Sequence, residues 1–378
     1  MITNKKIMMI TTTDNMIWQF LIPHIKYLQE QGNIVECVCS KTGFWFDELK
    51  DKFGFTMHAI DFARNPFKVK NIKAYKKLVQ LQKQEKFDLV YCQQPVGGLM
   101  GRLIGKKFKI PVIYTAHGFN FLKGNNPLKN FLFKSVEKWL AKYTDVLITI
   151  NQEDFEVSKK WKAKKKFKIS GIGFDINKYD NAEFDKQEFK QSLGLKDEFV
   201  VLTVAEFIKR KNYAISLKVI SEQKNKNIKY VICGRGVLEE EIKQQIEDLK
   251  IEDKVLLLGY RKDINKIMQI ADVFFLPSKQ EGLCLSIIEA MNFGLPIVTS
   301  DVRGCKDLVE VDENGFVGEK DDYKYYAQVI DKLASNNDLK IKMGEKSKQL
   351  APQYSIDNVK QQLEDIYNQI EFNSTNHN

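Results

Sequence analysis

The stretch Leu276-Pro-Ser-Lys-Gln-Glu-Gly-Leu-Cys-Leu-Ser-Ile-Ile-Glu-Ala-Met-Asn-Phe-Gly-Leu-Pro-Ile-Val-Thr-Ser300 has the pattern strand, loop, helix and strand. The apolar residues 273–276 predict a buried strand, and Gly282 in the loop lets the backbone approach a ligand closely. A helix is predicted from about Leu283 to Phe293, where Gly294 caps it. This is the repeating unit of a parallel α/β sheet.

The start of this helix has the features of an anion site. The first-turn amides of Leu283 and Cys284 would point toward the end of the preceding strand, an arrangement that suits a phosphate. Glu281 and Glu289 flank the position. Because carboxylates repel a phosphate, we expect them to accept hydrogen bonds from hydroxyls on either side of it, a sugar and a ribose. The alternatives are that Glu281 is a first-turn charge favoured by the helix dipole and that Glu289 is a surface residue.

Short apolar runs alternate with helical periodicity along the chain, in two series. The runs lie at residues 7–11, 35–40, 89–92, 112–115 and 146–150, and then at residues 199–204, 229–233, 255–258, 273–276 and 296–299. Strands that alternate with helices predict a parallel sheet covered on both faces. The sequence therefore predicts an α/β protein of two doubly wound, Rossmann-like domains.

A polar stretch at residues 177–196 separates the two series. We therefore expect a first domain over residues 1–185 and a second over residues 186–353. Apolar residues at helical spacing predict a C-terminal helix over about 354–372, which is able to pack on either domain, including back on the first.

Composition excludes several classes of protein. The 378 residues are 43% hydrophobic, which is enough apolar material for full cores and excludes disorder. No apolar run approaches the roughly 20 residues that a membrane-spanning helix needs. The six cysteines include no C-x-x-C and form no cluster with the four histidines, so buried, reduced thiols in a cytosolic protein are expected.

Positive charge is concentrated in the first half of the chain. Residues 1–190 contain 33 Lys and Arg against 19 Asp and Glu, a balance of +14, whereas the rest has a balance of −4. The candidate partners are an anionic membrane surface, a phosphorylated substrate or nucleic acid, and the alternative is an ordinary solvated surface. The basic stretch at residues 159–168 would hold lipid headgroups, with Trp161 and Phe167 entering the interface, or it is a solvated loop.

The block P-S-x-x-E-G-x-x-x-x-x-x-E-A-M-x-x-G-x-P closely resembles the retaining glycosyltransferases of family 4, which have the GT-B fold. Further pieces match elsewhere in the chain: Thr115-Ala-His-Gly-Phe119, Gly171-Ile-Gly-Phe-Asp175, Ala205-Glu-Phe-Ile-Lys-Arg-Lys-Asn212, Cys233-Gly-Arg-Gly236, Leu258-Gly-Tyr-Arg-Lys-Asp-Ile264 and Asp301-Val-Arg-Gly-Cys-Lys-Asp-Leu-Val309. The details look most like bacterial enzymes of capsule and exopolysaccharide assembly. The resemblance implies two Rossmann-like domains that face each other across a cleft.

The resemblance also assigns roles in donor binding. Glu281 takes the position that contacts donor-sugar hydroxyls, and Glu289 the position that contacts the ribose. The amides of Gly282, Leu283 and Cys284 bind the diphosphate, as the helix start also suggested. Lys211 matches the lysine of a basic pair that holds the diphosphate. The arginine of that pair is replaced by Glu206, and Arg210 is the candidate to supply the missing charge. The alternative is that Arg210 and Lys211 are exposed charges of a loop.

Three further positions follow from the resemblance. His117, just after a strand, matches a residue that contacts the donor sugar, and its alternative role is to satisfy loop carbonyls. Tyr260 and Arg261 resemble the loop that holds the nucleotide base, largely through backbone atoms. The apolar residues after the histidine, Phe119, Phe121 and Leu122, are candidates for acceptor contact.

The sequence contains no Asp-x-Asp, the pair with which many sugar transferases hold a metal ion, so neither a metal nor another cofactor is expected. The resulting expectation is a cytoplasmic, peripherally membrane-bound glycosyltransferase that uses a nucleotide-sugar donor, UDP-linked, and a lipid-linked acceptor of the undecaprenyl diphosphate type. The alternatives are a nucleotide-sugar epimerase on the same fold and a basic nucleic-acid-binding protein. For the latter we find neither a recognition helix nor an aromatic and basic sheet face, so no nucleic-acid partner is expected.

Overall fold

The computed structural model describes residues 2–43, 45–66, 68–121, 126–177, 183–225 and 227–372. The chain forms two compact units. The first comprises Met1–Gly173 together with Ile356–Asn378, and the second comprises Phe174–Ser355. The division therefore lies earlier in the chain than the 185/186 boundary expected from the sequence, and the C-terminal segment belongs to the first unit.

The first unit is built on a seven-stranded parallel sheet with the order β3-β2-β1-β4-β5-β6-β7. Its strands are β1 (Lys6–Thr13), β2 (Ile34–Ser40), β3 (Thr56–Ala59), β4 (Leu89–Gln93), β5 (Val112–Ala116), β6 (Val146–Thr149) and β7 (Lys165–Lys168). The central strands are buried along their whole length, as expected for a sheet with helices on both faces.

The helices of the first unit connect successive strands. They are α1 (Asp14–Met16), α2 (Ile22–Glu30), α3 (Trp45–Phe53), α4 (Lys70–Glu85), α5 (Pro95–Phe108), α6 (Pro127–Leu140) and α7 (Gln152–Ser158). One π-helical segment lies at Ile17–Leu21 and one 3₁₀ segment at Ala141–Tyr143. The last helix of the chain, α15 (Ile356–Tyr367), completes this unit and buries Val359, Leu363, Ile366 and Tyr367.

The second unit repeats the plan with six parallel strands in the order β10-β9-β8-β11-β12-β13. These strands are β8 (Phe199–Val204), β9 (Ile228–Cys233), β10 (Val255–Gly259), β11 (Val273–Leu276), β12 (Ile297–Ser300) and β13 (Gly315–Gly318). In both units the first strand in the sequence therefore lies between the second and the fourth. Loops that leave opposite faces of the sheet diverge at this point and create a binding position at the strand ends.

The helices of the second unit are α8 (Lys186–Ser192), α9 (Tyr213–Ser221), α10 (Glu239–Asp248), α11 (Ile264–Ile270), α12 (Leu285–Asn292), α13 (Tyr323–Ser335) and α14 (Asn337–Leu350). Three 3₁₀ segments lie at Lys209–Lys211, Lys306–Leu308 and Ala351–Tyr354. Every strand predicted from an apolar run is present, within two residues at either end, so the α/β prediction is confirmed.

The interpretation of residues 159–168 as a membrane-entering or solvated loop is wrong in part. Residues Lys165–Lys168 form the edge strand β7, paired with β6. The Trp161 side chain is buried rather than available to a bilayer, and its ring centroid lies 4.9 Å from that of Phe119 and 6.2 Å from that of Phe121.

The same aromatic cluster corrects a second expectation. Phe119 and Phe121 are buried in the core of the first unit, with their own rings stacked at 5.1 Å, so they are not exposed for acceptor contact. Leu122, the third residue of that expectation, lies outside the described residues.

All six cysteines are buried free thiols. In the part of the chain that the structure describes, no helix combines the length and the apolarity needed to cross a bilayer.

Candidate functional site

A cluster of charged side chains lies at the ends of β8 and β11, two neighbouring strands of the second unit. The 3₁₀ segment Lys209–Lys211 follows β8, and the loop with Glu281 follows β11. Because parallel neighbours place their carboxyl ends at one edge, residues 70 positions apart in sequence meet there.

Glu281 is at the centre of this cluster. Lys211 Nζ donates to Glu281 Oε1 at 2.7 Å, and the Arg210 guanidinium donates to Glu281 Oε2 at 2.6 Å. The Ser278 hydroxyl donates to Oε1 at 3.0 Å. Glu281 and Lys211 are buried, whereas the Arg210 side chain is 44% exposed. The structure thus joins three residues singled out from the sequence and brings Arg210 to the same carboxylate as Lys211.

Hydrogen bonds to backbone carbonyls fix the two loops against each other. Asn212, in the left-handed conformation with φ of 61°, donates from Nδ2 to the carbonyls of Pro277 and Lys320. The amide of Lys279 donates to the Arg210 carbonyl at 2.7 Å. The positions of Arg210 and Lys211 therefore depend on the β11 loop and do not follow from their own segment alone.

Lys211 retains its positive charge despite its burial. Burial by itself lowers the pKa of Lys211, but the neighbouring Cys284 and Glu281 outweigh it, and the pKa lies above its usual value. A hydrogen bond with Cys305 and the ammonium group of Lys211 together lower the pKa of the Cys284 thiol to about 7 against the opposing effect of burial. Lys211 is therefore a cation throughout the neutral range.

The helix that provides the anion site begins later than predicted. α12 starts at Leu285, with Cys284 as its N-cap residue. The Cys284 amide donates to the carbonyl of Gly304 at 3.0 Å, so this amide is used inside the protein, which corrects its assignment to a phosphate. The first-turn amides, which have no intrahelical acceptor, belong instead to Leu285 and Ser286. Gly282 and Leu283 lie half-buried in the loop just before the helix.

The glycine at position 304 brings a second loop against the first. Gly304 has φ of +73°, and a Cβ atom there would lie 2.3 Å from the carbonyl oxygen of Gly282. Only glycine allows this approach, which places residues 302–305 directly behind the loop that carries Glu281 and Gly282.

The remaining donor-side residues lie farther along the sheet or the helix. Glu289 is half-buried on α12. Tyr260 is exposed after the edge strand β10, and Arg261 forms a two-pronged ion pair with Asp263 at 2.8 and 2.6 Å. That pair uses Nε and Nη2 of the Arg261 guanidinium, and the expectation that this loop acts mainly through its backbone stays a prediction.

His117 lies in the first unit, directly after β5. Its Nε2 lies 2.6 Å from Gln93 Oε1, at the end of the neighbouring strand β4. An amide oxygen only accepts, so Nε2 donates and Nδ1 is left as an acceptor. Burial lowers the pKa of His117 to about 3, with a smaller contribution from His24, so the ring is neutral at physiological pH.

Sequence reasoning missed four supporting residues, namely Ser278, Asn212, Gly304 and Gln93. Ser278, Asn212 and Gly304 lie within stretches that were compared with the family, but only the tertiary contacts show what they support. In the described part of the chain, no group of three or more His, Cys, Asp or Glu side chains is placed to hold a metal ion.

Comparisons with known proteins cover both units. Residues 185–350 match the glycosyl transferases group 1 family, and residues 6–151 match the glycosyl transferase 4-like family. The chain is 32% identical, over 81% of each chain, to the Escherichia coli UDP-Gal:alpha-D-GlcNAc-diphosphoundecaprenol alpha-1,3-galactosyltransferase. It is 26% identical, over 97% of each chain, to the capsular polysaccharide biosynthesis glycosyltransferase CapM of Staphylococcus aureus.

Solved structures show the same fold. HepE of Anabaena, crystallised with UDP, superposes with a TM-score of 0.82 at 20% identity, covering 97% of this chain and all of HepE. Sucrose-phosphate synthase of Thermosynechococcus elongatus gives a TM-score of 0.79 at 16% identity, covering 97% of this chain and 99% of that one. With both units matched and the charged cluster at the expected strand ends, this chain belongs to the group 1 glycosyl transferases, of family 4 type and GT-B fold.

Proposed function

We propose that this glycosyltransferase moves a hexose, with retention of configuration and without a metal ion, from a UDP-sugar to a lipid-linked glycan precursor in capsular or exopolysaccharide biosynthesis. The observation that carries the proposal is the contact of Arg210 and Lys211 with the same carboxylate, that of Glu281, in the loop that precedes α12. This arrangement offers positive charge for a diphosphate and an acceptor of hydrogen bonds for sugar hydroxyls at the same place.

The chemistry requires stabilisation of a leaving group. As the bond between the sugar and the diphosphate breaks, negative charge grows on the diphosphate, and preorganised donors aimed at that charge accelerate the step. Lys211, Arg210 and the first-turn amides of α12 are the donors in our proposal. Because they supply positive charge by themselves, we propose that no metal is required.

Arg210 takes the role of the family arginine that is absent at position 206. Glu206 is exposed, whereas the Arg210 guanidinium lies on the Glu281 carboxylate opposite Lys211. Its partial exposure leaves donors for a ligand that arrives from solvent. Glu281, held by three partners, presents its remaining lone pairs to the sugar, and Glu289 binds the ribose. Tyr260 and Arg261 hold the base.

The neutral His117 fits a hydrogen bond to the donor sugar better than a proton transfer. A pKa of about 3 is too far below neutrality for an efficient general base.

The names of relatives support the choice of acceptor. The Escherichia coli relative is named for transfer from UDP-Gal to a diphosphoundecaprenol-linked sugar. A Campylobacter jejuni relative, 26% identical over 94% of this chain and 96% of its own, is named for transfer to a diphospho-undecaprenol-linked sugar as well. We propose the same acceptor class here, and with it a cytoplasmic enzyme that works at the membrane surface.

The test is a two-stage assay of the full chain. Thermal shift with UDP, GDP, ADP and their sugars identifies the donor class, since a ligand at 100 times its Kd stabilises by about 2.7 kcal/mol. Transfer to a polyprenyl-diphosphate-linked glycan is then measured with and without EDTA. We expect UDP-selective stabilisation and transfer that survives EDTA.

Other outcomes separate the alternatives. Conversion of the donor sugar in the absence of any acceptor would support the epimerase instead. Loss of transfer in EDTA with recovery on added Mn²⁺ would overturn metal independence, and stabilisation by GDP or ADP alone would overturn the UDP donor.

A further inference from the structure

The helix α6 of the first unit presents apolar side chains to solvent. Leu128 is 76% exposed, Phe131 71%, Leu132 44% and Trp139 41%. These four are among the eleven most exposed large apolar side chains of the described residues. Single exposed apolar residues are normal, but a cluster of them on one element marks an interaction surface.

The exposed residues follow helical spacing. Leu128, Leu132 and Trp139 lie four and seven residues apart and share one face of α6, with Phe131 beside them. The opposite face is anchored in the core. Glu137 there accepts from the buried Arg102 at 2.7 Å. The exposed apolar side chains therefore lie on the side of α6 that faces away from the core of this unit.

The charged side chains that α6 itself exposes are all positive. α6 contains Lys129, Lys134 and Lys138, all exposed, and its only acid is the buried Glu137. An apolar stripe with flanking lysines and an exposed tryptophan is the pattern of a helix that lies in the plane of a membrane interface.

A basic groove adjoins the C-terminal end of the helix. It has a volume of ≈ 370 Å³, and its charged lining consists of Lys106, Lys109, Lys142, Lys164, Asp145 and Glu371. Lys106 Nζ lies 5.4 Å from the centroid of the Trp139 ring and 4.3 Å from that of Tyr143, which links the groove to the exposed face. Lys164 and Asp145 pair with each other at 2.6 Å, which leaves Lys106, Lys109 and Lys142 against Glu371, and this excess of positive charge favours an anionic group in the groove.

We infer that α6 is the membrane-docking element of this chain, with its outward face in the headgroup region of an anionic bilayer and the lysine groove on a lipid phosphate. A second copy of the chain fits less well, because a symmetric interface would bring lysines against lysines. The inference deepens the proposed use of a lipid-linked acceptor, but docking does not require sugar transfer, so the two can fail separately.

Docking through α6 also replaces the site expected from the sequence. The basic stretch at residues 159–168 has its tryptophan in the core, and Lys164 and Lys166 are bound to Asp145 and to the carbonyls of Trp161 and Ala163. Lys160 and Lys162 are exposed, and the Trp161 side chain between them is buried and does not face a bilayer.

The experiment is co-sedimentation of the full chain with vesicles of phosphatidylcholine and phosphatidylglycerol, compared with phosphatidylcholine alone. We expect binding to the anionic vesicles that weakens as salt is raised. The double variant Leu128→Ser/Phe131→Ser should lower the partition coefficient by about tenfold or more. The matched control Val311→Ser/Ile341→Ser replaces two exposed apolar residues of the second unit and should change nothing.

A second pair of variants tests the charges. Lys134→Gln/Lys138→Gln should lower binding by roughly tenfold at low salt, whereas Lys160→Gln/Lys162→Gln should leave it within about twofold. Vesicles with brominated acyl chains should quench the fluorescence of the bound protein, and Trp139→Phe should remove most of that quenching. Unchanged melting temperature and UDP-induced shift verify that each variant is folded.

The proposal is overturned by any of four results: no binding to anionic vesicles, equal binding to neutral vesicles, full binding by the Leu128/Phe131 variant, or self-association in solution that this variant abolishes. Docking with no transfer to a lipid-linked acceptor would contradict the proposed function and leave α6 as the docking element. Transfer to that acceptor without α6-dependent docking would contradict α6 as the docking element and leave the proposed function in place.

Discussion

The Glu281 carboxylate accepts from Lys211, Arg210 and Ser278, so its charge serves both as counter-ion and as a candidate sugar ligand. Glu281→Gln keeps the size of the side chain and removes its charge. We expect kcat to fall by about 10²-fold, because contacts to the reacting sugar are lost, while the Kd for UDP changes less than about threefold.

The control is Glu206→Gln, an exposed carboxylate after the same strand as the cations, which should leave both constants unchanged. Parallel losses of kcat and of UDP affinity in Glu281→Gln would contradict a role on the sugar and indicate a structural one.

Arg210 and Lys209 are adjacent cations with different environments. Of these two cations, Arg210 is the one that contacts Glu281, and Lys209 is exposed in the same 3₁₀ segment. Arg210→Ala should weaken UDP binding by about tenfold and also lower kcat, since a charge-assisted hydrogen bond contributes about 1.5–3 kcal/mol. Lys209→Ala should have little effect on either. Isothermal titration with UDP and initial rates measure both, and equal effects of the two variants would show that only net charge matters.

We expect His24 to make the stability of the first unit depend on pH. It is buried, its Nε2 lies 2.6 Å from the Ile172 carbonyl, and burial lowers its pKa from 6.5 to about 4. In the unfolded chain the imidazole is therefore protonated below about pH 6.5, whereas in the folded chain it becomes protonated only near pH 4. The free energy of unfolding consequently decreases as the pH falls from 6.5 to 4.

At pH 5 this difference amounts to about 2 kcal/mol. His24→Gln, which retains a donor for the Ile172 carbonyl and does not titrate, should reduce the drop in melting temperature between pH 7.5 and pH 5. An identical drop in the wild type and the variant would show that other groups cause it.

At the scale of elements, the donor site depends on how closely two loops of the second unit approach each other. A Cβ at Gly304 would meet the Gly282 carbonyl, whereas Gly194 has nearly the same backbone angle, φ of +74°, with open space around it. Both Gly→Ala variants should lose about 1–2 kcal/mol from the strained backbone. Only Gly304→Ala should also weaken UDP binding, because it displaces the loop with Gly282. If Gly194→Ala weakened UDP binding equally, local packing would not be the cause.

The element α12 illustrates the limit of reading boundaries from sequence. Its existence and its glycine cap were predicted, and Gly294 indeed follows the helix with φ of +75°. Its start was placed two residues too early. The Cys284 amide bonds to Gly304, twenty residues later in the chain, and such a contact leaves no local signal.

At the scale of the whole molecule, the last helix belongs to the first unit although it follows the second in sequence. Leu363 is buried on α15, and Gln361 on the same helix is exposed. Leu363→Ala should destabilise the first unit by about 2–5 kcal/mol through loss of apolar contacts and a cavity. UDP binding, which we assign to the second unit, should survive at temperatures below the transition. Gln361→Ala should change neither property, and loss of UDP affinity in folded Leu363→Ala would contradict the assignment.

The amino-acid sequence alone determined the alternation of strands and helices, the two doubly wound units and the glutamates around the start of α12. These features are readable because a parallel strand buried on both faces is a continuous apolar run, and because glycine and proline mark its turns. The family resemblance then assigned Lys211, Glu281 and Glu289 to a donor site.

Only the tertiary structure decided the rest. The edge strands Thr56–Ala59 and Lys165–Lys168 are polar and half-exposed, so they have no apolar run to reveal them. Trp161 lies in a basic stretch yet fills the core, while the apolar residues of α6 face solvent, because burial depends on which surfaces the sheet brings together. Arg210 reaches Glu281 for the same reason, because the strand order places β8 beside β11. Hydrogen bonds between the loops after these strands then bring the Arg210 guanidinium to 2.6 Å from Glu281 Oε2, although the two residues are far apart in the sequence.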